Sequence, residues 1–138
     1  MQIIKDVPAL SGDVAAIPPE GRLLPQTYDY QQGEDRGAVL ARMASAMDKE
    51  YAVLCEKYTC EDRNKIITLA SLVEKETGVA SERARIAGVF ANRLKAGIAL
   101  QTDPSVIYAL TQGRPKNDGQ GPLGRRLLSK DLELDSPY

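Results

Sequence analysis

Between Gly33 and Tyr58 the apolar residues Val39, Leu40, Met43, Met47, Tyr51 and Leu54 recur at helical spacing, with Lys49, Glu50 and Glu56 mostly off that stripe. The period predicts the longest helix of the chain there. A break follows near Thr59–Asp62. Asp62–Thr77 predicts a second helix, with Ile66, Leu69, Ala70 and Val73 as its stripe and Gly78 as a left-handed stop. Ser81 is placed to cap a third, with Glu82 in its first turn, Ile86, Val89, Phe90 and Leu94 on its apolar face, and Gly97 ending it.

The flanks read differently. Gln2–Val7 and Arg22–Tyr30 are rich in β-branched or aromatic residues and predict extended segments, the second broken by Pro25. Pro8, Pro18 and Pro19 exclude a helix between them. Ile98–Thr102 predicts a short strand. Asp103-Pro104 then signals a helix start, with Asp as cap and Pro in the first turn of a short helix over Ser105–Leu110. Thr111–Arg126 is a Gly/Pro-rich loop, and Leu127–Tyr138 holds at most a short helix. No segment repeats. The expected fold is α+β and mainly helical: three principal helices with short N-terminal and mid-chain strands. The expected organisation is a single domain over 1–138: a strand and loop segment (1–32), a helical core (33–110), and a loop with an incomplete C-terminal segment (111–138).

Composition narrows the chemistry. The 138 residues carry 18 Lys and Arg against 19 Asp and Glu, a formal net charge of −1, which argues against nucleic-acid binding by bulk charge. There is no His, which excludes Ser-His-Asp and Cys-His nucleophiles and every His-containing zinc site. Two Cys cannot build a four-thiolate site. Proton chemistry therefore falls to carboxylates, Lys, Tyr or Cys. No stretch approaches the roughly 18 apolar residues of a membrane span, and the first residues do not resemble a signal peptide. On one continuous helix Cys55 and Cys60 would stand about 140° apart, so a disulfide requires the helix to end between them. The plainer expectation is two free or partly buried thiols.

Two apparent motifs carry little. Gly119-Gln-Gly121-Pro-Leu-Gly124 has the form GxGxxG, but no strand precedes it, Pro122 interrupts it and no useful helix follows. Asp131-Leu-Glu133-Leu-Asp135 alternates carboxylates without the glycine or spacing of a calcium loop, and reads as a solvated segment.

The informative stretch is Leu69-Ala-Ser-Leu-Val-Glu74-Lys75-Glu76-Thr77-Gly78. It sets two carboxylates in the last turn of an apolar helix, the negative end of the dipole. Burial there together with that dipole would make a carboxyl hold its proton, as a general acid must. At about 100° per residue from Ile66, Glu76 falls near 280°, between Leu69 and Leu72, and Glu74 near 80°, beside Ala70. Both flank the stripe, so the angles alone leave the choice open. The plainer reading pairs one or both with surface Lys or Arg.

Three runs resemble one family. Leu69-Ala-Ser-Leu-Val-Glu-Lys-Glu-Thr-Gly-Val-Ala-Ser-Glu-Arg83, Val89-Phe-Ala-Asn-Arg-Leu94 and Leu100-Gln-Thr-Asp-Pro-Ser-Val-Ile-Tyr108 occur in the order seen in the endolytic murein transglycosylases, the YceG-like family. Gly21-Arg-Leu-Leu-Pro-Gln-Thr-Tyr28 is similar to an upstream family segment, and Ser136-Pro-Tyr138 to the start of a downstream one. The resemblance implies a bitopic inner-membrane protein with its catalytic part on the outer, periplasmic face. It implies cleavage of peptidoglycan glycan strands between N-acetylmuramic acid and N-acetylglucosamine, without metal or organic cofactor, beside the cell-wall synthases. The second Glu of the family's E-K-E-T motif, its catalytic acid, corresponds to Glu76, with Glu74 the alternative acid. One carboxyl suffices for that chemistry: it protonates the bridging oxygen, then takes the proton of the muramoyl 6-hydroxyl as that oxygen closes the anhydro ring. Two-carboxylate hydrolases work differently.

Gln101, Thr102 and Asp103 are expected to line a sugar cleft beside Glu76, the plainer role of Asp103 being helix capping. Asn92 and Arg93 are expected to bind glycan or the acid, the plainer role of the Arg being an ion pair. Tyr108 is set to stack on a sugar or to pack in the core. Ser71 and Tyr28 are lesser candidates. The family's membrane anchor, LysM-like part and C-terminal continuation have no counterpart in these residues. The chain is therefore expected to be a fragment of the catalytic domain, weakly active or inactive alone. The competing readings are a non-catalytic peptidoglycan-binding or synthase-docking module, and a hydrolytic muramidase with a second carboxylate.

Overall fold

The computed structural model describes residues 2–58, 60, 62–114 and 122–134. Five α-helices follow one another among them: α1 Gln2–Lys5, α2 Arg36–Lys57, α3 Arg63–Glu76, α4 Arg83–Lys95 and α5 Asp103–Thr111. Short 3-10 segments cover Ala80–Glu82 and Ser129–Glu133. The chain divides into two units, Met1–Ile66 and Ile67–Tyr138, and the boundary falls inside α3. No helix among the described residues is long and apolar enough to cross a membrane.

The mainly helical expectation holds, and the three principal helices stand where the period placed them. The expected strands do not form among the described residues. Gln2–Val7 begins as the single turn α1, Arg22–Tyr30 is irregular, and the one β-type contact among the described residues is an isolated parallel bridge between Ser11 and Asp35. For Gln2–Val7 the reason lies in Arg36. Its guanidinium donates to the carbonyls of Ile4 (3.1 Å), Lys5 (3.3 Å), Val7 (2.8 Å) and Gly12 (2.8 Å). Backbone acceptors that a ladder would serve are satisfied by one side chain.

In the first unit, Asp35 caps α2 by accepting the Ala38 N–H at 3.2 Å, and Asp62 does the same for α3 with Asn64 (2.9 Å) and Lys65 (3.3 Å). Helix α2 ends at Lys57 with an extended Tyr58, so it does terminate between the cysteines. Cys55 and Cys60 form a disulfide, their Cα atoms 5.3 Å apart, which corrects the expectation of free thiols. Arg63 spans Asp48, with which it pairs, and the ring of Tyr51, whose centroid lies 5.1 Å from its guanidinium carbon.

In the second unit the core is Leu72, Val73, Phe90 and Leu100, with Leu69, Ile86 and Ala87 packed against it. Only part of the predicted α4 stripe is used: Phe90 is buried, but Val89 and Leu94 are 47% and 55% exposed. Gly78 does not adopt the left-handed conformation. Thr77 stops α3 instead: its hydroxyl accepts the Val79 N–H (3.0 Å) and donates to Glu82 Oε2 (2.7 Å). Ser81 is not a cap either, because it lies within the 3-10 turn that leads into α4. Gly97 does end α4 in a left-handed conformation, φ +66°.

Ile98–Thr102 is not a strand. Gln101 is left-handed at φ +52°, and the carbonyls of Ala99 and Leu100 accept from the Arg93 side chain rather than from a neighbouring chain. Asp131, read as solvated, is 6% exposed. Its carboxylate accepts two bonds from Arg125 (2.6 and 2.9 Å) and one from the Leu128 N–H (2.8 Å). These donors hold the carboxyl well below the usual carboxylate range. Of the GxGxxG-like loop only Pro122–Gly124 is described; Gly119 and Gly121, like Asp135 and Ser136–Tyr138, lie outside the described residues.

Candidate functional site

Helix α3 delivers Glu76 as its last residue, one position before the Thr77 stop. The core-facing side of the helix at this level is set by Leu72 and Val73, both buried. Glu76 follows Leu72 by one turn on the same side. Glu74 points elsewhere and pairs with Arg83 at 3.0 Å, both side chains largely exposed. The structure thereby separates the two carboxylates that the helical angles left equivalent: the surface ion pair belongs to Glu74.

Glu76 takes a different partner. Thr102 Oγ1 donates to Glu76 Oε2 at 2.9 Å across 26 positions of sequence. Thr102 is 4% exposed and is the N-cap of α5. Capping was expected of Asp103, which instead occupies the first turn of α5 and is exposed. Thr102 makes no side-chain cap bond; its carbonyl accepts from the Ser105 N–H (3.1 Å) and the Ser105 hydroxyl (2.8 Å).

The expectation of a buried Glu76 is corrected: the residue is exposed. Thr77, next in sequence, is the one that packs inward. Two surface hollows, about 540 Å³ lined by Asp29, Tyr30, Gln31, Glu34 and Arg42 and about 450 Å³ lined in part by Asp13, Pro18, Asp35 and Leu40, lie in the first unit. Neither contains the expected candidates.

The remaining candidates divide. Arg93 is half-buried and donates to Leu100 O at 2.6 Å, more weakly to Ala99 O at 3.4 Å, with Gln101 Oε1 at 3.5 Å. Arg93 therefore binds the backbone leading to Thr102, and among the described residues it does not form the ion pair that was its plainer role. Gln101 is exposed beside it. Tyr108 is half-buried in α5. Asn92 is exposed on α4. Ser71 is exposed, and its hydroxyl turns back to the Thr68 carbonyl at 2.7 Å. Tyr28 lies in the first unit, its hydroxyl donating to Leu24 O at 2.9 Å. The reading of the sequence missed Thr77 as the residue that stops α3 and bonds Glu82, although a Thr directly after the paired carboxylates was the available signal.

A sequence profile of the YceG-like family matches residues 3–138. The chain belongs to the YceG-like family. Among its YceG-like relatives, the endolytic murein transglycosylase of Bacillus subtilis (strain 168) is 40% identical over 127 residues, which cover 88% of this chain and 32% of that protein. The endolytic murein transglycosylase of Streptococcus pneumoniae (strain ATCC BAA-255 / R6) is 33% identical over 126 residues, 86% of this chain and 21% of that protein. The chain thus spans between a fifth and a third of the length of these YceG-like relatives.

Proposed function

We propose that this chain carries the acid of an endolytic lytic transglycosylase, with Glu76 the catalytic residue. The observation that carries the reading is the bond from the nearly buried Thr102 to Glu76, because it joins two family-like runs, one ending α3 and one opening α5, at a single carboxyl. Membership of the YceG-like family and the names of the relatives support the substrate class, peptidoglycan glycan strands.

Glu76 in its neutral form gives its proton to the oxygen bridging N-acetylmuramic acid and N-acetylglucosamine. The bond from the muramoyl C1 to that oxygen breaks and leaves a hydroxyl on the departing strand. The muramoyl 6-oxygen bonds to C1, and its proton returns to the Glu76 carboxylate. No water is consumed, and the product ends in a 1,6-anhydro ring. Gln101 and Asp103, exposed on either side of Thr102, are proposed glycan contacts, as are Asn92, Tyr108 and Ser71.

The proposal extends to the whole protein: the 138 residues act as part of its catalytic domain, held at the outer face of the inner membrane by an anchor outside them and working beside cell-wall synthases. The disulfide supports an oxidising compartment. The exposure of Glu76 favours the second reading, a peptidoglycan-binding or synthase-docking module.

The test is mass spectrometry of products from purified glycan strands treated with the full-length natural protein, with Glu76→Gln, and with Glu74→Gln as control. Anhydromuramoyl ends that vanish only with Glu76→Gln support the enzyme. Undiminished cleavage by Glu76→Gln removes Glu76 as the acid, reducing ends indicate a hydrolase, and strand binding without cleavage indicates the module.

A further inference from the structure

We infer that Arg93 and Thr102 are positioning residues that assign the two oxygens of Glu76 separate roles, with Oε1 carrying the transferred proton. The inference rests on the proposed role of Glu76 and goes beyond it.

An N-cap threonine ordinarily turns its hydroxyl to the backbone N–H groups of the first helical turn. Thr102 does not; its hydroxyl goes to Glu76 Oε2 at 2.9 Å while its side chain is withdrawn from solvent. Thr102 donates to Oε2 of the ionised carboxyl, and it keeps that direction in the neutral form when Oε2 is the carbonyl oxygen, the better acceptor of the two. The acid's own proton is then placed on Oε1. Among the described residues Oε1 has no hydrogen-bond partner, so it is the oxygen left to meet the glycosidic bridge.

The hydroxyl is held in place by Arg93. The Arg93 carbonyl accepts the Ile98 N–H (2.9 Å) and its guanidinium binds Leu100 O (2.6 Å), so one residue closes both ends of the turn between them. Leu100 is anchored in the core beside Leu72, Val73 and Phe90. Gln101 then takes its left-handed conformation, one that a residue with a Cβ keeps only when its neighbours hold it. The clamp on Leu100 holds one side, and Thr102, fixed between α5 and Glu76, holds the other. Without the guanidinium the link is free to relax, and the hydroxyl moves off Oε2.

The test measures kcat and KM on glycan strands for the full-length natural protein and its variants. Thr102→Val, which keeps the shape and loses the donor, is expected to lower kcat roughly ten- to a hundred-fold with KM within about twofold, the scale of a misplaced catalytic group. Thr102→Ser restores most of it. Arg93→Met lowers kcat alone, and in a Thr102→Val background it causes no further loss, because both changes act through one bond. Losses that multiply in the double variant overturn the relay. A Thr102→Val protein with full kcat, alongside an inactive Glu76→Gln, overturns the inference and leaves the role of Glu76 standing. A fully active Glu76→Gln overturns both.

Discussion

Thr102 Oγ1 bonds Glu76 Oε2 at 2.9 Å instead of capping the helix that Thr102 begins. The chain forgoes a local bond between neighbours for one reaching from α5 back to the end of α3. Caps contribute about 1 kcal/mol to helix stability, so a threonine diverted from that role marks a position where side-chain placement outweighs local stability.

That trade has a stability consequence separate from catalysis. Thr102→Val removes a hydroxyl bonded to a carboxyl and is expected to destabilise the 138-residue chain by about 1 kcal/mol, with Thr102→Ser closer to the parent. Urea unfolding of the three proteins checks it. Equal midpoints for parent and Thr102→Val would mean that the bond does not persist in solution.

The two glutamates are expected to part company. The Glu74–Arg83 pair is solvent-exposed, and pairs of that kind are worth about 0.2–1 kcal/mol. Glu74→Gln should shift the thermal midpoint only slightly and leave glycan cleavage within about twofold, the small change expected of a surface substitution. Glu76→Gln should abolish cleavage while the protein stays folded by circular dichroism.

The division of the α4 stripe predicts unequal costs. Phe90 lies in the core of the second unit, and Phe90→Ala should cost roughly 3–5 kcal/mol. Val89, one position away and 47% exposed, should tolerate Val89→Ser within about 0.5 kcal/mol. Chemical denaturation of both variants separates them; similar large losses would place Val89 in the core as well.

The disulfide closes a short loop between Cys55 and Cys60. Cross-linking residues this close restrains the unfolded chain by about 2 kcal/mol on the loop-entropy account. Dithiothreitol and the Cys55→Ser/Cys60→Ser pair should therefore lower the melting temperature by the same amount. Alkylation without reductant should leave both thiols unlabelled.

Acid should act through Asp131. Bonds from Arg125, then from the Leu128 N–H, lower its proton affinity in the folded state. A carboxyl depressed by folding adds stability that is complete above its unfolded value, about 3.9, and is lost as pH falls from there through the folded value. Asp48, lowered chiefly by its bond with Arg63, acts in the same direction. Unfolding free energy measured between about pH 5 and 2 should fall less steeply in Asp131→Asn than in the parent; identical slopes would remove Asp131 from the acid response.

What could be read from the residues alone was whatever depends on near neighbours along the chain. The three long helices follow from spacings within a turn or two, and the paired carboxylates at the end of α3 stand out by their neighbours. The choice between Glu74 and Glu76 did not follow, because each is defined by a partner contributed elsewhere, Arg83 for one and Thr102 for the other. The strands failed for the same cause. β-Propensity describes a segment, but whether its carbonyls join a ladder depends on which donors reach them, and in Gln2–Val7 and Ile98–Thr102 the guanidinium groups of Arg36 and Arg93 reach them first. Exposure of Glu76, burial of Asp131 and closure of the cysteine pair likewise required the path of the backbone in three dimensions, since a side chain's solvent and partners are set by atoms that the chain brings together only on folding.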